Sequence, residues 1–162
     1  MENEFLTVIK KISDRLTEKG LKLAVAESCT GGLISHEISN LPGASKFFEM
    51  SVVSYSENSK KTVLGVSASL LRKHGAVSEE AAVAMAEGVR KLSGAEVSLS
   101  ITGVAGPEPL EDKDIGLVYM AVSLRDMTES KGMSLHGDRE TIKRDASLDA
   151  LGFLNQVLRL WL

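Results

Sequence analysis

The sequence is poor in cysteine, histidine and aromatic residues, and each shortage excludes a class of protein. Its single cysteine, Cys29, has no partner for a disulfide within the chain. The three histidines, His36, His74 and His136, are too far apart for the ligand spacing of a zinc site, so we expect neither a metal nor a cofactor. Aromatic residues make up only 4% of the chain, which leaves few platforms for stacking on nucleic-acid bases.

Positive charge and long apolar runs are also scarce. The chain has 19 lysine and arginine residues against 22 aspartate and glutamate residues, a net charge of −3, and no basic run interleaved with aromatics. A nucleic-acid partner is therefore not expected. No apolar run approaches the ~18 residues that a membrane span needs, and Met1–Lys10 is too charged for a signal peptide. These features predict a cytoplasmic protein without membrane contact.

The composition that remains is that of one globular domain. The 162 residues, 43% of them hydrophobic, suffice for one core, and no linker, repeat or low-complexity segment interrupts them. We therefore interpret 1–162 as a single domain. Periodic apolar residues and capping residues predict four helices. These are Asn3–Lys19, Thr30–Asn40, a helix from the Ser78 cap to just before Gly94, and Arg139–Trp161.

Short apolar or alternating segments predict five strands. These are Leu21–Ala26, Met50–Tyr55, Val97–Ile101, Gly116–Leu124 and Thr128–His136. Strands alternate with helices early in the chain, which favours parallel pairing, whereas the last two adjoin through a connection short enough for a hairpin. The fold class expected is therefore α/β, a three-layer α/β/α sandwich with a mixed, mainly parallel sheet.

The segment Ala26–Gly32, with the sequence Ala-Glu-Ser-Cys-Thr-Gly-Gly, joins the first strand to the second predicted helix. It places a candidate hydroxyl nucleophile, Ser28, where the unpaired N–H groups of a helix start attract an oxyanion or a phosphate. Small-residue turns of this kind are also common where nothing binds. Cys29 is better interpreted as a small buried residue than as the nucleophile.

Two further segments follow predicted strands, Tyr55–Lys60 and Thr102–Pro107. Ligands of open α/β sheets gather at the carboxyl ends of strands, so these two segments and Ala26–Gly32 are expected to converge. None of the three histidines lies in them, which argues against a serine–histidine pair. A serine–lysine pair is a chemically available variant.

The strings that carry a family resemblance run through nearly the whole chain. In order they are Ala26–Gly32, Pro42-Gly43-Ala44-Ser45, Tyr55-Ser56 with Lys60, Leu64-Gly65-Val66, His74–Glu79, Thr102–Pro107, Gly116–Tyr119 and Gly137-Asp138-Arg139. In these strings the chain resembles the C-terminal domain of the competence-damage-inducible CinA proteins. That family includes stand-alone nicotinamide-nucleotide amidohydrolases.

The resemblance implies an enzyme that hydrolyses the carboxamide of nicotinamide mononucleotide to nicotinate mononucleotide and ammonia. The nucleophile would be Ser28 and the base Lys60, which stands at the position of the family's lysine. A lysine base needs a pKa lowered from ~10.4 to roughly 7–8, which burial can supply. Without the resemblance, Lys60 and its neighbour Lys61 would be interpreted as a solvated pair.

Other residues are candidates for binding the substrate or moving a proton. The Tyr55 hydroxyl can relay a proton, contact the substrate or simply pack at the strand end. Thr30, Gly31 and Gly32 offer hydroxyl and backbone donors for an oxyanion hole or a phosphate.

A second set of candidates lies in the later part of the chain. Thr102, Gly103 and Gly106 can bring backbone N–H groups against the ribose phosphate or the carboxamide, or form a tight turn without a ligand. Arg139 suits a phosphate through its planar fork of donors, and Lys143 lies one helical turn further on the same face.

Two acidic features keep an alternative open. Glu57 and the segment Glu108–Asp114 place carboxylates near the expected site of a phosphorylated substrate. The alternative is a pyridine-nucleotide-binding module of the same family with little or no turnover, and a purely structural oligomerisation domain is a third hypothesis. We expect a homo-oligomer, because apolar residues at the C-terminus, such as Leu160 and Trp161, can bury against a partner subunit.

Overall fold

The predicted alternation of strands and helices is present in the structure, a computed structural model that describes residues 3–162. The helices are α1 (Glu4–Lys19), α2 (Leu33–Ser39), α3 (Glu57–Thr62), α4 (Ala68–His74), α5 (Glu79–Ser93) and α6 (Arg139–Trp161). The strands are β1 (Leu23–Glu27), β2 (Phe48–Val53), β3 (Val97–Gly103), β4 (Leu117–Leu124) and β5 (Met127–Ser134). No helix of the described residues is long and apolar enough to span a membrane.

The three long helices begin and end where their capping residues stand in the sequence. The Asn3 side chain accepts from the Phe5 N–H at the start of α1, which ends at Gly20 with φ +68°. The Ser78 hydroxyl accepts from the Ala81 N–H at the start of α5. Asp138 likewise caps α6 by accepting from the Thr141 N–H. The predictions for these three helices are confirmed.

The five described strands form one mixed sheet in the order β2-β1-β3-β4-β5. Strand β1 pairs in parallel with β2 and β3, while β4 is antiparallel to both β3 and β5. Four of the five strands therefore run in one direction. The carboxyl ends of β1, β2 and β3 meet at one edge of the sheet.

Helices cover both faces of this sheet, as predicted. On β1, Leu23 and Val25 pack into a core with α1, α2 and α6, and Ala24 and Ala26 face α5. The serines of β3 also face α5. Their hydroxyls donate to carbonyls of α5, Ser98 to Ala86 at 2.6 Å and Ser100 to Ala82 at 2.5 Å. Small residues on both elements allow this close approach.

The structure corrects the sequence predictions at several places. Strand β1 begins at Leu23 instead of Leu21, and β5 ends at Ser134 instead of His136. Helix α2 begins at Leu33 instead of Thr30, because Gly31 and Gly32 have φ of +62° and +103°, which a right-handed helix excludes. Strand β2 lies two residues earlier than predicted. Helices α3 and α4 had not been predicted. At the C-terminus, Leu160 is 71% exposed, while Trp161 and Leu162 pack partly buried against the chain's own core.

Candidate active site

The three segments predicted to converge do line one cavity, with a volume of about 280 Å³. Its lining includes Ser28 after β1, Lys60 after β2, and the segment Thr102–Leu110, which consists of the end of β3 and the loop that follows. They meet because β1, β2 and β3 are parallel and end at the same edge of the sheet. Among residues 3–162, no group of three or more histidine, cysteine or acidic side chains is placed to hold a metal ion.

A buried serine–lysine pair lies inside this cavity. The Lys60 Nζ atom donates to the Ser28 Oγ atom at 2.9 Å and to the Ser54 carbonyl oxygen at 2.8 Å. Only 1% of Lys60 and 7% of Ser28 is exposed. A lysine is rarely buried to this degree unless its amine has a specific task or partner.

The capping residues of α3 direct the Lys60 side chain toward the cavity. Ser56 and Ser59 form a capping box at the start of α3, in which the Ser56 hydroxyl accepts from the Ser59 N–H at 3.1 Å and the Ser59 hydroxyl accepts from the Ser56 N–H at 3.1 Å. One turn of helix then turns Lys60 toward Ser28 and leaves Lys61 exposed. The interpretation of Lys61 as a solvated neighbour agrees with this exposure.

Burial acts in opposite directions on the two ionisable groups beside Ser28. It lowers the pKa of the Lys60 amine below its ordinary 10.5, although the carboxylates of Glu111 and Glu57 act the other way. It raises the pKa of the Cys29 thiol from 9.0 to about 12. At neutral pH the thiol is therefore protonated and a poor nucleophile, whereas the amine is shifted toward its neutral, basic form.

Glu27 is a buried carboxylate that the sequence reasoning did not select. Its Oε1 atom accepts from the Thr30 hydroxyl at 2.6 Å and the Ile34 N–H at 3.0 Å. Its Oε2 atom accepts from the Ser35 N–H at 3.0 Å and the Ser35 hydroxyl at 2.6 Å. The signal available was a glutamate at a strand end, close to unpaired N–H groups of the next helix.

The Glu27 contacts correct the expected role of the α2 N-terminus. This helix start binds the chain's own carboxylate, so it is not free to attract an oxyanion or a phosphate. The Thr30 hydroxyl is likewise directed to Glu27 and only 1% of the residue is exposed. Gly31 and Gly32 lie in the connection between β1 and α2 and line a neighbouring groove instead of the Ser28 cavity.

The segment after β3 contributes backbone more than side chains. The Thr102 hydroxyl donates to the Ala76 carbonyl oxygen at 2.7 Å and so joins the segment to the residues before α5. A Cβ at Gly103 would lie 2.5 Å from Val118 and 2.8 Å from the Leu117 carbonyl oxygen, so only glycine fits against β4. Gly106 has φ +87° and lines the cavity.

Tyr55 and Arg139 lie together at the mouth of the cavity. The Arg139 guanidinium donates to the Tyr55 hydroxyl oxygen at 2.9 Å and also to the Gly106 carbonyl oxygen. Tyr55 is 60% exposed. Its hydroxyl is bonded to Arg139 and not to Ser28 or Lys60, which favours substrate contact over a direct proton relay.

Lys143 lies in a groove next to the cavity. Its Nζ atom is 3.7 Å from where a Cβ at Gly31 would be, and the groove of about 850 Å³ is also lined by Gly32 and Arg139. Arg139 belongs to both the cavity and the groove. A ligand with a reactive end and a charged end can therefore extend from one into the other past Arg139.

The acidic residues noted in the sequence are mostly directed away from the cavity. Glu57 is exposed and lines a separate cleft with Lys61 and Arg72. Glu111 is bonded to backbone N–H groups and to Lys113. Of the acidic side chains, Glu108 lines the Ser28 cavity.

These features define the class: an α/β/α domain that holds a buried serine–lysine pair at the carboxyl edge of its parallel strands. The match to known proteins then gives the family. Residues 6–158 match the CinA C-terminal domain, and the chain belongs to that family. It is 42% identical over 153 residues to a CinA-like protein of Geotalea uraniireducens, covering 94% of this chain and 36% of that protein.

Other relatives agree with this assignment. A CinA-like protein of Dictyoglomus thermophilum is 43% identical over 148 residues, which cover 91% of this chain and 36% of that protein. The chain thus spans little more than a third of the length of these curated relatives.

Solved structures match over whole chains. The competence damage-inducible protein A of Klebsiella pneumoniae is 34% identical, with a TM-score of 0.95 and coverage of 99% of this chain and 100% of that one. The competence/damage inducible protein CihA of Agrobacterium tumefaciens is 31% identical, with a TM-score of 0.92 and 98% coverage of both chains.

Proposed function

We propose that the chain is an amidohydrolase that converts nicotinamide mononucleotide to nicotinate mononucleotide and ammonia. The observation that carries this proposal is the hydrogen bond of 2.9 Å between the buried Lys60 amine and the Ser28 hydroxyl. Amide hydrolysis through a covalent step needs an activated hydroxyl and a nearby base, and this pair supplies both. The choice of a pyridine nucleotide rests on the family resemblance.

The first step is attack of Ser28 on the carboxamide carbon. Neutral Lys60 presents its lone pair to the Ser28 hydroxyl over the same 2.9 Å contact and accepts the hydroxyl proton, and the Ser28 oxygen bonds to the carbonyl carbon. The tetrahedral intermediate collapses as the carbon–nitrogen bond breaks, and the Lys60 ammonium gives its proton to the departing NH2 group, which leaves as ammonia. A water, deprotonated by neutral Lys60, then attacks the acyl carbon. The bond from that carbon to the Ser28 oxygen breaks, Lys60 returns the proton to the Ser28 oxygen, and the acid product leaves and ionises in water.

The oxyanion of this intermediate needs donors in the same cavity. Ala105 and Gly106 line the cavity, and their backbone N–H groups donate no hydrogen bond within residues 3–162. Unpaired N–H groups on a rigid loop are the usual donors for such an oxyanion. We assign the oxyanion to them because the α2 N-terminus is bonded to Glu27.

The charged part of the substrate has a separate place to bind. Arg139 at the cavity mouth and Lys143 in the adjoining groove supply positive charge on one face of α6. Gly31 and Gly32 form the other side of that groove. In this arrangement the carboxamide points toward Ser28 and the phosphate lies between Arg139 and Lys143.

The test is release of ammonia from nicotinamide mononucleotide by the purified protein. Ser28→Ala and Lys60→Ala should each lower kcat by about 10³-fold or more, since serine–base pairs act as a unit. Lys61→Ala is the matched control, with a neighbouring lysine that is exposed, and should retain wild-type turnover. Full activity of both the Ser28 and the Lys60 variants would contradict the proposed pair.

One observation favours the second candidate, a nucleotide-binding module with little turnover. Glu108 lines the Ser28 cavity, and a carboxylate there opposes the negative charge that the oxyanion develops during turnover. Calorimetric titration with nicotinamide mononucleotide separates the two. Binding without ammonia release favours the module, and absence of binding excludes both functions.

A further inference from the structure

One wall of the Ser28 cavity is a loop with an unusual backbone. This wall loop, residues 107–115, lies between β3 and β4, and its first residues line the cavity. Leu110 and Lys113 pair through two backbone hydrogen bonds of 3.3 and 2.8 Å, so that Glu111 and Asp112 form the tip of a tight turn. The two tip residues have φ of +55° and +58°.

That conformation is unfavourable for both tip residues. Two successive residues with positive φ make the type of turn that asparagine and glycine normally occupy. A residue with a side chain held in this region costs on the order of 1 kcal/mol or more. The turn therefore needs contacts outside itself to keep this shape.

Those contacts come from the side chains of Glu111 and Lys113. The Glu111 carboxylate accepts from the Ala76 N–H at 2.9 Å and the Val77 N–H at 3.1 Å. The Lys113 ammonium donates to the His74 carbonyl oxygen at 3.0 Å, to the Val77 carbonyl oxygen, and to Glu111 at 3.3 Å. Only 23% of the Glu111 side chain and 24% of the Lys113 side chain is exposed.

Two of the three contacted residues belong to another wall of the same cavity. Ala76 and Val77 line it, and the Ala76 carbonyl accepts from Thr102. Gly75 leaves room for the contact, because a Cβ there would collide with the Glu111 carboxylate and lie 3.0 Å from Lys113 Nζ. Burial by itself would raise the pKa of Glu111, but the bonds from Ala76, Val77 and Lys113 outweigh it and lower the pKa, so the carboxylate is charged at neutral pH.

We propose that Glu111 and Lys113 form a latch that holds the two walls of the Ser28 cavity together and thereby sets the affinity for the nucleotide. They are positioning residues, since neither side chain is assigned a contact with the reacting atoms. In the catalytic pair, Ser28 directly follows β1 and Lys60 lies on α3, and the pair does not depend on the wall loop for its hydrogen bonds. The effect on substrate affinity rests on the proposed function, whereas the hold on the 74–77 backbone does not.

The kinetic test compares Glu111→Ala with Asp112→Asn. The first removes the latch carboxylate, and the second removes a charge from the other tip residue, which is exposed and for which asparagine fits the positive φ. The Glu111 charge also raises the pKa of Lys60, so the comparison is made at a pH where Lys60 is neutral in both proteins. There, Glu111→Ala should raise KM for nicotinamide mononucleotide about tenfold, as expected for loss of charge-assisted hydrogen bonds, and change kcat less than about threefold. Asp112→Asn should keep both constants.

Two readouts are independent of turnover. In Glu111→Ala, hydrogen exchange of the Ala76 and Val77 amides should become at least about tenfold faster, and calorimetric Kd for nicotinate mononucleotide should rise in parallel with KM. A lower Tm with unchanged KM and Kd would reduce the latch to a structural contact and overturn the proposal, as would unchanged exchange. A wild-type protein that binds nicotinate mononucleotide but releases no ammonia would refute the proposed turnover. In that case the latch is still tested by whether Glu111→Ala raises the Kd for nicotinate mononucleotide.

Discussion

Lys60 shows how far the identity of a residue predicts its role. Lys60 and Lys61 are adjacent and chemically identical, and the family resemblance selects Lys60. The physical difference is burial, 1% exposure for Lys60 against an exposed Lys61. Burial lowers the pKa of Lys60 because the charged amine loses its hydration, and a base must be neutral to act. Sequence alone does not contain that burial.

The pH dependence of turnover should follow the Lys60 amine. Its neutral form increases with pH, so kcat/KM should rise with pH through a pKa below 10.5. The charged groups that act on this amine are the carboxylates of Glu111 and Glu57, and each raises its pKa. Glu57→Gln removes one of them and should move the rising limb to lower pH.

The matched control for this shift is Glu49→Gln on β2, an exposed glutamate that is not among the charges acting on Lys60. The measurement is kcat/KM across pH 6–10 for the three proteins. If the rising limb of kcat/KM stays in place in Glu57→Gln, or moves equally in Glu49→Gln, Lys60 is excluded as the group whose titration sets the pH profile.

At the scale of elements, the sequence predicted the long helices, which have strong local signals, and missed or misplaced the short ones. Helices α1, α5 and α6 were predicted because caps and apolar periodicity extend over 15 residues or more. Helices α3 and α4 were missed because six and seven residues are too few for a periodic pattern. The start of α2 was wrong because Gly31 and Gly32 adopt positive φ. These weak elements carry or flank the site.

Two helical glycines allow a direct test of packing between elements. A Cβ at Gly88 of α5 would collide with the Leu64 carbonyl oxygen, which is backbone and cannot turn aside. At Gly152 of α6 nothing lies within 4 Å of the added Cβ. Gly88→Ala should therefore destabilise the protein by about 1–3 kcal/mol, whereas Gly152→Ala should stabilise it by about 0.5–1 kcal/mol.

Urea denaturation of the two variants measures both effects on the same scale. Because the substitution is identical, helix propensity favours alanine in both, and only the contact differs. Equal stabilisation of the two variants would show that α5 is not packed against the Leu64 backbone as described.

At the scale of the whole molecule, the candidate active site lowers the free energy of unfolding. The fold buries a lysine that binds protons more weakly in the folded protein than in the unfolded chain. Between the folded pKa and 10.5 the unfolded chain holds more protons, so the free energy of unfolding rises with pH. At pH values below the folded pKa, the free energy of unfolding is lowered by the full cost of burying the amine. Function of this kind is commonly retained at the expense of stability.

Replacement of the buried amine by an apolar side chain should remove this pH dependence. In Lys60→Met, turnover should be lost, while its stability relative to the wild type should decrease as pH rises from 7 to 10, by up to about 1.4 kcal/mol per pH unit. Lys61→Met, at the exposed neighbour, should show no such trend. Urea denaturation at several pH values measures the free energy of unfolding of each protein. If this free energy changes with pH in parallel for the wild type and Lys60→Met, the pKa of Lys60 is not lowered in the folded protein.

The homo-oligomer expected from the C-terminal apolar residues stays a prediction. Trp161 and Leu162 are partly covered by the chain itself, and Leu160 is exposed. Light scattering should give a mass of two or more chains, each of 17.4 kDa. A mass of one chain would contradict the prediction.

The sequence by itself determined the α/β class, the long helices and the three segments that follow β1, β2 and β3, because these depend on local periodicity, caps and turn residues. Its motifs also selected Ser28 and Lys60 through the family resemblance. Only the tertiary structure decided that Glu27 occupies the α2 N-terminus, that Arg139 bonds to Tyr55, and that Glu111 joins the cavity walls. Burial and partner choice depend on residues far apart in the chain, so local pattern cannot supply them.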